Sequence, residues 1–589
     1  MTQLEWKPKR THEEGIEKIL TAPGALHELE TAVVEDRVLR VYKNLWPSSR
    51  IFWFTVLQQH GDKTCTVFEN QRYTFNQIHE RALKAASIYR DVYGVKKGDR
   101  VAICCRNYPD YFTFFWAAQL IGAVSVFLNA WLPQEQLQHC ITKTQCTFVL
   151  IDPERADRLV SVIPKLKSSG VAGFAVIENS SNRTWPGVDD WKRVWDNYRG
   201  DVRRIMTEDP KIVPEDNATI IFTSGTSGMP KGVLSSHRAF LTIVLNGLAG
   251  RGRAMLRDGE DLDFSPTPGP QSGILLATPL FHVTGTSLML FGALGGSKIV
   301  LMRKWDIKEA VKLMKAENIT AFGGVPTTIS DLTDNAAGHP LDAVMYGGAP
   351  ASVPQVMRAR KAFPIAAMSQ AYGMTETNAT AVGFTGHDYE VRWKSCGRAM
   401  PANDVIIMLN GKECPTGTPG EVWMRGPNVM KGYWGDPEAT ANALTKDGWC
   451  KSGDIGYLDE EGFLYINGRL KDMIIRGGEN VDPVSVENAI HRDERVMEAA
   501  AVGVPDERLG ELVTALVTIK PVYKGQVKEA DLIALAEKHL PKFAVPVMIM
   551  VYEGEFEHTP SEKIIKAPLR KTAEEEWRKR QSGPTRAKL

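Results

Sequence analysis

The chain has 589 residues, of which 43% are apolar and 24% charged, a composition typical of a large soluble globular protein with room for about three to four domain-sized units. With 71 basic and 70 acidic side chains the formal net charge is +1, which excludes the strongly basic surface of most nucleic-acid-binding proteins. The eight cysteines contain no Cys-x-x-Cys pair, so the sequence predicts reduced, intracellular thiols and no disulfide or zinc framework.

A nearly uncharged segment over residues 114–132 is long enough to suggest a membrane-spanning helix. The alternative is a buried helix, a break at Gly122 and a buried strand over 124–128. We predict this alternative, because the second half is rich in β-branched residues, which suit α/β packing. The residues at the N-terminus have no apolar core, so the sequence predicts no secretory signal.

Strand and helix patterns alternate along the chain. Strand character is found at residues 100–107, 146–152, 218–225, 298–306 and 320–326. Repeated alternation of this kind predicts an α/β fold built from doubly wound parallel sheets with helices on both faces. Ligands of such sheets bind beyond the carboxyl ends of the strands.

The pattern changes at about residue 400, where short strands separated by glycine-rich turns predict a small β-rich subdomain over 400–468. The strand and helix patterns beyond it predict a separate α+β unit. We therefore expect an N-terminal domain over 1–469, a C-terminal domain over 470–572 and a charged, flexible tail over 573–589.

The sequence FTSGTSGMPKG, residues 222–232, follows a predicted strand and combines glycines, hydroxyl residues and one lysine. Glycines let backbone amides approach an anion, hydroxyls donate hydrogen bonds and Lys231 adds a positive charge, so the segment predicts a phosphate-binding loop. It is not a Walker A loop, because its lysine follows proline and precedes glycine. Taken alone, the segment also fits a flexible surface loop.

Four further motifs follow in the sequence: PLFHVTG at 279–285, MYGGAP at 345–350, QAYGMTE at 370–376 and SGDIGYLDEEGFLYINGRLKDMIIRGGEN at 452–480. In this order and at these separations, the five motifs resemble those of the AMP-forming superfamily of acyl-CoA synthetases, luciferases and peptide-synthetase adenylation domains. The resemblance spans roughly residues 50–572. It implies that a carboxylic acid attacks the α-phosphorus of ATP to give an acyl-adenylate, from which a thiol displaces AMP. It also implies ATP, Mg²⁺ and CoA as the small-molecule partners.

The resemblance implies the following residue roles, which suit a reaction between two anions that needs charge neutralisation and positioning. The phosphates of ATP are expected to contact Thr223, Ser224, Gly225, Thr226, Ser227, Gly228 and Lys231. The nucleoside is expected to contact Gly347, Gly348, Ala349, Gln370, Tyr372, Gly373, Asp454 and Arg469. Within that set, Tyr372 is expected to stack on adenine and Asp454 to accept hydrogen bonds from the ribose hydroxyls. Glu376 is expected to hold Mg²⁺ and Thr375 to contact the α-phosphate.

A lone histidine such as His282 is ordinarily a packed core residue, but the resemblance places an aromatic gate of the acyl site here. No second histidine lies at metal-ligand spacing, so we do not expect a metal at His282. The acyl pocket is expected to include His282, Val283, Met374 and Asn378.

The C-terminal sequence HTPSEKIIKAPLRK, 558–571, resembles the segment whose lysine bridges carboxylate and α-phosphate, which implies a catalytic role for Lys563. Glu562 departs from the glycine of the family pattern. The resemblance further implies rotation of the C-terminal domain about Lys471 between the two half-reactions. After rotation, Gly477, Gly478 and Glu479 are expected to line the path of CoA.

The expected pocket has no cation for a second carboxylate, which favours an acid with an apolar tail. The chain ends in Ala-Lys-Leu, which resembles the C-terminal signal that the peroxisomal import receptor binds. We therefore predict a medium- or long-chain fatty acid as the substrate and a peroxisomal location, with a cytoplasmic location otherwise. The alternative substrate is an aryl or specialised-metabolite acid. A luciferase-like oxygenase, a non-ribosomal adenylation enzyme and a non-catalytic binding protein are further alternatives.

Overall fold

The structure is a computed structural model that describes residues 6–12, 15–223, 229–265, 269–348, 351–470, 472–477, 479–559 and 564–582. Elements up to residue 223 are α1 (Ile16–Leu20), β1 (Leu29–Val34), β2 (Arg37–Tyr42), α2 (Ser49–His60), β3 (Thr64–Phe68), β4 (Gln71–Thr74), α3 (Phe75–Asp91), β5 (Arg100–Cys104), α4 (Pro109–Leu120), β6 (Val124–Phe127), α5 (Gln134–Thr144), β7 (Phe148–Ile151), α6 (Pro153–Leu159), α7 (Ile163–Ser168), β8 (Gly173–Val176), β9 (Asp189–Asp190), α8 (Trp191–Asn197), α9 (Arg204–Thr207) and β10 (Asn217–Thr223).

A second group of elements follows, up to residue 399. It consists of β11 (Lys231–Ser236), α10 (His237–Arg257), β12 (Gly273–Leu276), α11 (Val283–Gly295), β13 (Lys298–Leu301), α12 (Ile307–Ala316), β14 (Ile319–Gly324), α13 (Pro326–Asn335), β15 (Ala343–Tyr346), α14 (Val353–Ala362), β16 (Ala367–Met374), β17 (Ala379–Thr385), α15 (His387–Val391) and β18 (Ser395–Ala399).

The remaining elements are β19 (Asp404–Leu409), β20 (Lys412–Glu413), β21 (Gly420–Arg425), β22 (Gly432–Tyr433), α16 (Pro437–Ala443), β23 (Cys450–Leu458), β24 (Phe463–Arg469), β25 (Ile474–Arg476), β26 (Glu479–Val481), α17 (Pro483–Ile490), β27 (Val496–Asp506), β28 (Gly510–Ile519), α18 (Glu529–Glu537), β29 (Met548–Val551) and α19 (Lys566–Ser582).

The first sheet has the strand order β22-β11-β10-β6-β5-β7-β8-β9. Its strands from β10 to β9 pair in parallel, and β6, β7 and β8 are buried along their whole length, as expected of parallel strands covered on both faces. The apolar segment 114–132 folds as predicted, because buried helix α4 is followed by Gly122 in the left-handed region and by strand β6. Within the described residues, no helix is long and apolar enough to cross a membrane.

The second sheet has the order β20-β19-β21-β23-β24-β18-β17-β16-β15-β14-β12-β13-β3-β4. Strands β16 to β3 pair in parallel, and from β17 to β20 the pairing is antiparallel. The region predicted as a β-rich subdomain is therefore an antiparallel extension of this sheet, joined through the pairing of β18 with β24. Helices α2, α3 and α4 fill the apolar core between the two sheets, where Trp53 stacks on Trp116 at 4.3 Å between ring centroids.

The C-terminal part forms a sheet of its own, with the order β26-β25-β28-β27 and β29 paired to β28. The prediction of an α/β fold with a large N-terminal part and a small α+β C-terminal part is confirmed. The boundary predicted at 469/470 lies between β24 and β25 and stays a prediction. The prediction that a flexible tail begins at residue 573 is wrong, because α19 continues to Ser582. Ala573 is buried, and Trp577 packs on the same core. Residues 583–589 lie outside the described ranges.

Candidate active site

A cavity of about 1790 Å³ opens beyond the carboxyl ends of β14, β15 and β16, between these strands and the C-terminal part of the chain. Gly323 and Gly324 end β14, and Gly347 and Gly348 follow β15, so the edge of the sheet offers backbone with little side-chain bulk. This is the position at which open α/β sheets bind their ligands.

Most of the described residues that the sequence predicts for the site line this cavity. They are Thr223, Lys231, His282, Val283, Gly347, Gly348, Gln370, Tyr372, Gly373, Met374, Thr375, Glu376, Asp454 and Arg469. Asn378, Gly477 and Glu479 do not line it. The remaining predicted residues lie outside the described ranges: Ser224, Gly225, Thr226, Ser227, Gly228, Ala349, Lys471, Gly478 and Lys563.

The predicted phosphate loop connects two antiparallel strands. Thr223 ends β10 and pairs with Lys231 at the start of β11, and both residues line the cavity. The Thr223 hydroxyl donates to the backbone oxygen of Lys231 at 3.4 Å. This topology differs from the strand-to-helix turn of a Walker loop, as the order of residues predicted.

Glu376 lies in a single 3₁₀ turn, Thr375–Thr377, between β16 and β17, and is only 7% exposed. The Tyr433 hydroxyl donates to Glu376 Oε1 at 2.7 Å, and the Met430 amide donates to the Glu376 backbone oxygen at 2.8 Å. Burial, followed by the nearby Glu376 charge, raises the pKa of Tyr433, which stays a neutral donor. Mg²⁺ is ordinarily bound by one or two carboxylates together with substrate phosphates, so the Glu376 carboxylate fits a magnesium ligand.

Tyr433 is a site residue that the sequence motifs did not reveal. It lies on the two-residue strand β22, which pairs with β11 through Tyr433 and Val233. This pairing helps to bring residue 433 to the Glu376 turn, and two residues carry too little periodicity for a strand prediction.

The nucleoside side of the cavity is organised around Asp454. The Tyr372 hydroxyl donates to Asp454 Oδ2 at 2.7 Å, and Arg469 Nε lies 3.3 Å from Asp454 Oδ1. Asp454 and Arg469 are direct partners across β23 and β24, which explains why two residues fifteen positions apart meet. Burial, followed by the Asp454 charge, raises the pKa of Tyr372 well above its ordinary value. Tyr372 therefore holds the carboxylate in place, and its stacking on adenine stays a prediction.

The prediction that Asn378 lines the acyl pocket is wrong. Its side chain is buried and its Nδ2 donates to Ser235 Oγ and to the Asn428 backbone oxygen, each at 2.9 Å. Asn378 and Ala379 have φ values of +47° and +69°, a left-handed turn that directs the amide into the protein. Asn428 Nδ2 in turn donates to the Thr377 backbone oxygen at 2.7 Å, so these asparagines hold the turn that carries Glu376.

His282 lies at the start of α11 and is half-buried at the cavity wall. Its Nδ1 accepts a hydrogen bond from the Thr284 amide at 3.4 Å, which caps the helix. Val283, Leu288 and Phe291 continue the cavity wall along α11. Among the described residues, no group of three or more His, Cys, Asp or Glu side chains is arranged to hold a metal ion by itself.

The C-terminal part contributes residues on either side of the predicted catalytic lysine. Thr559, Ile564, Ile565 and Lys566 line the cavity. Gly477, by contrast, lies in the β25–β26 hairpin, with its amide donating to the Leu509 oxygen at 2.7 Å. In this conformation the structure therefore brings the surroundings of residue 563 to the cavity, and the described residues predicted for CoA lie away from it.

Comparison with known proteins agrees with this architecture. The model of the AMP-binding enzyme family matches residues 53–434, and that of the AMP-binding enzyme C-terminal domain matches residues 485–563. A 2-succinylbenzoate–CoA ligase of Bacillus mycoides (strain KBAB4) is 30% identical over 519 residues, which cover 87% of this chain and 96% of the relative.

Two solved structures show the same arrangement. O-succinylbenzoate coenzyme A synthetase from Bacillus subtilis, in complex with ATP and magnesium ion, has a TM-score of 0.68 at 25% identity, covering 89% of this chain and 99% of its own. The anthranilate CoA ligase AuaEII, in complex with anthranoyl-AMP, has a TM-score of 0.77 at 19% identity, covering 91% and 98%, a likeness of fold alone. The chain belongs to the AMP-binding enzyme family.

Proposed function

We propose that this AMP-forming acid–CoA ligase activates a compact aryl carboxylic acid. The observation that carries the proposal is the apolar wall that α11 gives to the cavity, which Val283, Leu288 and Phe291 line. The relatives named for 2-succinylbenzoate favour the aryl alternative over the fatty acid that the sequence predicted.

Two side chains of this wall pack closely against glycines of neighbouring elements. Leu288 packs against Gly323, where a Cβ atom would come within 2.9 Å of Leu288 Cδ2. The Phe291 ring lies over Gly247 of α10, where a Cβ atom would come within 2.5 Å of the ring. Gly247 is exposed, so Phe291 stands between the cavity and the outside of the protein. We infer that Phe291 closes this side of the cavity, which favours a compact aromatic ring over a long alkyl chain.

In the first half-reaction, the acid carboxylate attacks the α-phosphorus of ATP, forming the acyl–phosphate bond and releasing pyrophosphate. Asp454 accepts a hydrogen bond from Tyr372 and pairs with Arg469, and it would bind the ribose, while the cavity-lining Lys231 would face the phosphates. Glu376 would hold Mg²⁺, which supplies charge neutralisation at the phosphate oxygens. These residues bring the two anions together and lower the cost of their approach.

In the second half-reaction, the CoA thiol attacks the acyl carbon and AMP leaves. For the preceding step, adenylate formation, the resemblance implies that the Lys563 ammonium bridges the carboxylate and the α-phosphate. Thr559 and Ile564 line the cavity, which supports this proposal. Rotation of the C-terminal domain about Lys471 would then move the segment that carries Lys563 away from the cavity and bring Gly477, Gly478 and Glu479 to it. We expect Lys563→Ala to lose adenylate formation while retaining thiolysis of supplied acyl-AMP.

The test is pyrophosphate release with a panel of acids, measured with and without CoA. Benzoate, anthranilate and 2-succinylbenzoate represent aryl acids, and octanoate and palmitate represent fatty acids. We expect a higher kcat/KM for at least one aryl acid than for either fatty acid, and an increase for 4-alkylbenzoates in Phe291→Ala. Higher kcat/KM for palmitate in the wild type would contradict the proposal, and failure of every acid would contradict the ligase itself.

A peroxisomal location remains a separate proposal, because Ala587, Lys588 and Leu589 lie outside the described residues. It is supported only by the resemblance of these residues to a peroxisomal address. A fluorescent fusion at the N-terminus, compared with the same fusion lacking the last three residues, tests it. Identical distribution of the two fusions would contradict this location.

A further inference from the structure

Tyr433 connects the two charged groups on the phosphate side of the cavity. Its hydroxyl donates to Glu376 Oε1 at 2.7 Å, and the Lys231 ammonium lies 5.2 Å from the centroid of its ring. All three residues line the cavity. One aromatic side chain thus contacts the expected magnesium ligand with its hydroxyl and the expected phosphate-binding cation with its ring.

The backbone around Tyr433 is held on several sides. Its amide donates to Thr440 Oγ1 at 2.9 Å, and the amides of Lys431 and Trp434 donate to backbone oxygens of β11 at 2.9 and 2.7 Å. Because Tyr433 pairs with Val233, Lys231 is its diagonal neighbour on the same face of the strand pair. These backbone contacts fix the direction in which the Tyr433 ring leaves the strand.

We propose that Tyr433 is a positioning residue that orients the Glu376 carboxylate for Mg²⁺ and holds Lys231 beside it. The inference rests on the assignment of Glu376 as the magnesium ligand within the proposed function. Tyr433 acts through these two residues and takes no part in bond formation.

The physical reason lies in the burial of Glu376. A carboxylate that is only 7% exposed has lost most of its contact with water, so the hydrogen bond from Tyr433 both stabilises its charge and selects its orientation. The ring contributes separately, because the face of an aromatic ring attracts a cation. Phenylalanine at position 433 would keep the ring and remove the hydroxyl, so Tyr433→Phe separates the two contributions.

The experiment measures calorimetric binding of the non-cleavable nucleotide α,β-methylene-ATP at a series of Mg²⁺ concentrations, without acid or CoA. In Tyr433→Phe we expect the apparent affinity for Mg²⁺ in the nucleotide complex to fall by about tenfold or more, as expected for loss of a hydrogen bond to a charged group. Metal-free nucleotide binding is expected to change less than about twofold, because the ring stays beside Lys231.

The matched control is Tyr93→Phe, which removes a hydroxyl that donates to Asp189 Oδ2 at 3.0 Å, away from the cavity. We expect this variant to bind nucleotide and Mg²⁺ like the wild type. Should Tyr433→Phe fail to fold, Tyr433→His provides a second arm, since it keeps a planar ring with an N–H donor. It is expected to retain more Mg²⁺ affinity than Glu376→Gln.

The Glu376→Gln variant separates failure of this inference from failure of the metal assignment. If Tyr433 acts through Glu376, adding Tyr433→Phe to Glu376→Gln lowers Mg²⁺ affinity little further. Unchanged Mg²⁺ affinity in Tyr433→Phe, or equal losses with and without Mg²⁺, would overturn the role of Tyr433. Unchanged Mg²⁺ affinity in Glu376→Gln would overturn the metal assignment instead. Neither result depends on which acid is the substrate.

Discussion

Gly373 leaves no space for a side chain at the turn that carries Glu376. A Cβ atom there would lie 1.6 Å from the Ala379 backbone oxygen and 2.9 Å from Thr377 Oγ1. The pairing of β16 with β17 shifts register between Tyr372 and Gly373, which draws the two strands together at this point. The close approach sets the turn that carries Glu376, so the glycine serves the geometry of the metal site.

We expect Gly373→Ala to lose roughly 3 kcal/mol of unfolding free energy and most adenylate formation, because backbone atoms must move to admit the methyl group. Chemical denaturation and pyrophosphate release measure the two effects. Gly250→Ala is the matched control, since its Cβ in helix α10 would meet Met400 Cε at 3.9 Å, an ordinary contact. Equal stability of the two variants would contradict this explanation.

At the scale of the element, helix α10 is held by two buried histidines. His237 opens the helix, fully buried, and its Nδ1 accepts a hydrogen bond from the Ser49 amide at 3.1 Å. His27 lies against the same helix, with its Nε2 3.1 Å from the Leu245 oxygen. Burial lowers the pKa of each to about 4. Both rings are therefore neutral in the folded protein at pH 7.

Because both pKa values are lowered, these histidines make the free energy of unfolding decrease as the pH falls. The pKa of His237 in the folded protein lies below its unfolded value of 6.5. Its contribution to the free energy of unfolding is therefore fully present above pH 6.5 and is lost as the pH falls toward 4. Between pH 7 and 5 the loss is about 2 kcal/mol. We expect His237→Gln to show a smaller difference in unfolding free energy between these pH values than the wild type. The same difference in His237→Gln as in the partly exposed control His139→Gln would contradict this.

The elements also show what the sequence could predict. The parallel strands were predictable because strands buried on both faces read as apolar runs bounded by turns. The joining of β18 to β24 was not, because the residues that pair lie far apart in the chain and carry no local signal. The same holds for Tyr433 and Asn428, which the fold brings to the site from outside the motifs. The error at Asn378 arose because motif position does not determine side-chain direction in a left-handed turn.

At the scale of the whole molecule, an ion pair connects the C-terminal part to the large N-terminal part. Lys520 Nζ, after β28, lies 3.0 Å from Asp334 Oδ2 at the end of α13. The Lys520 side chain is 23% exposed and that of Asp334 42% exposed, so the pair is worth at most about 1 kcal/mol. An interaction of this size would bias the rotation of the C-terminal part that the resemblance implies, without preventing it.

We expect Lys520→Glu to slow adenylate formation about two- to fivefold, because it places like charges across this contact. Thiolysis of supplied acyl-AMP should change less, if it uses the other arrangement. The charge exchange Lys520→Asp with Asp334→Lys is expected to restore adenylate formation. Failure of the exchange to restore it, or equal slowing of both half-reactions, would contradict a role for this pair.

The proposed function requires that the protein form an aryl-adenylate and pass the acyl group to CoA. The most direct test is a single-turnover reaction with excess enzyme, ATP, Mg²⁺ and the preferred aryl acid, quenched and analysed by mass spectrometry before and after adding CoA. We expect aryl-AMP and pyrophosphate to accumulate without CoA, and CoA to convert the adenylate to aryl-CoA and AMP. Formation of ADP, or absence of an aryl-AMP that CoA consumes, would contradict it.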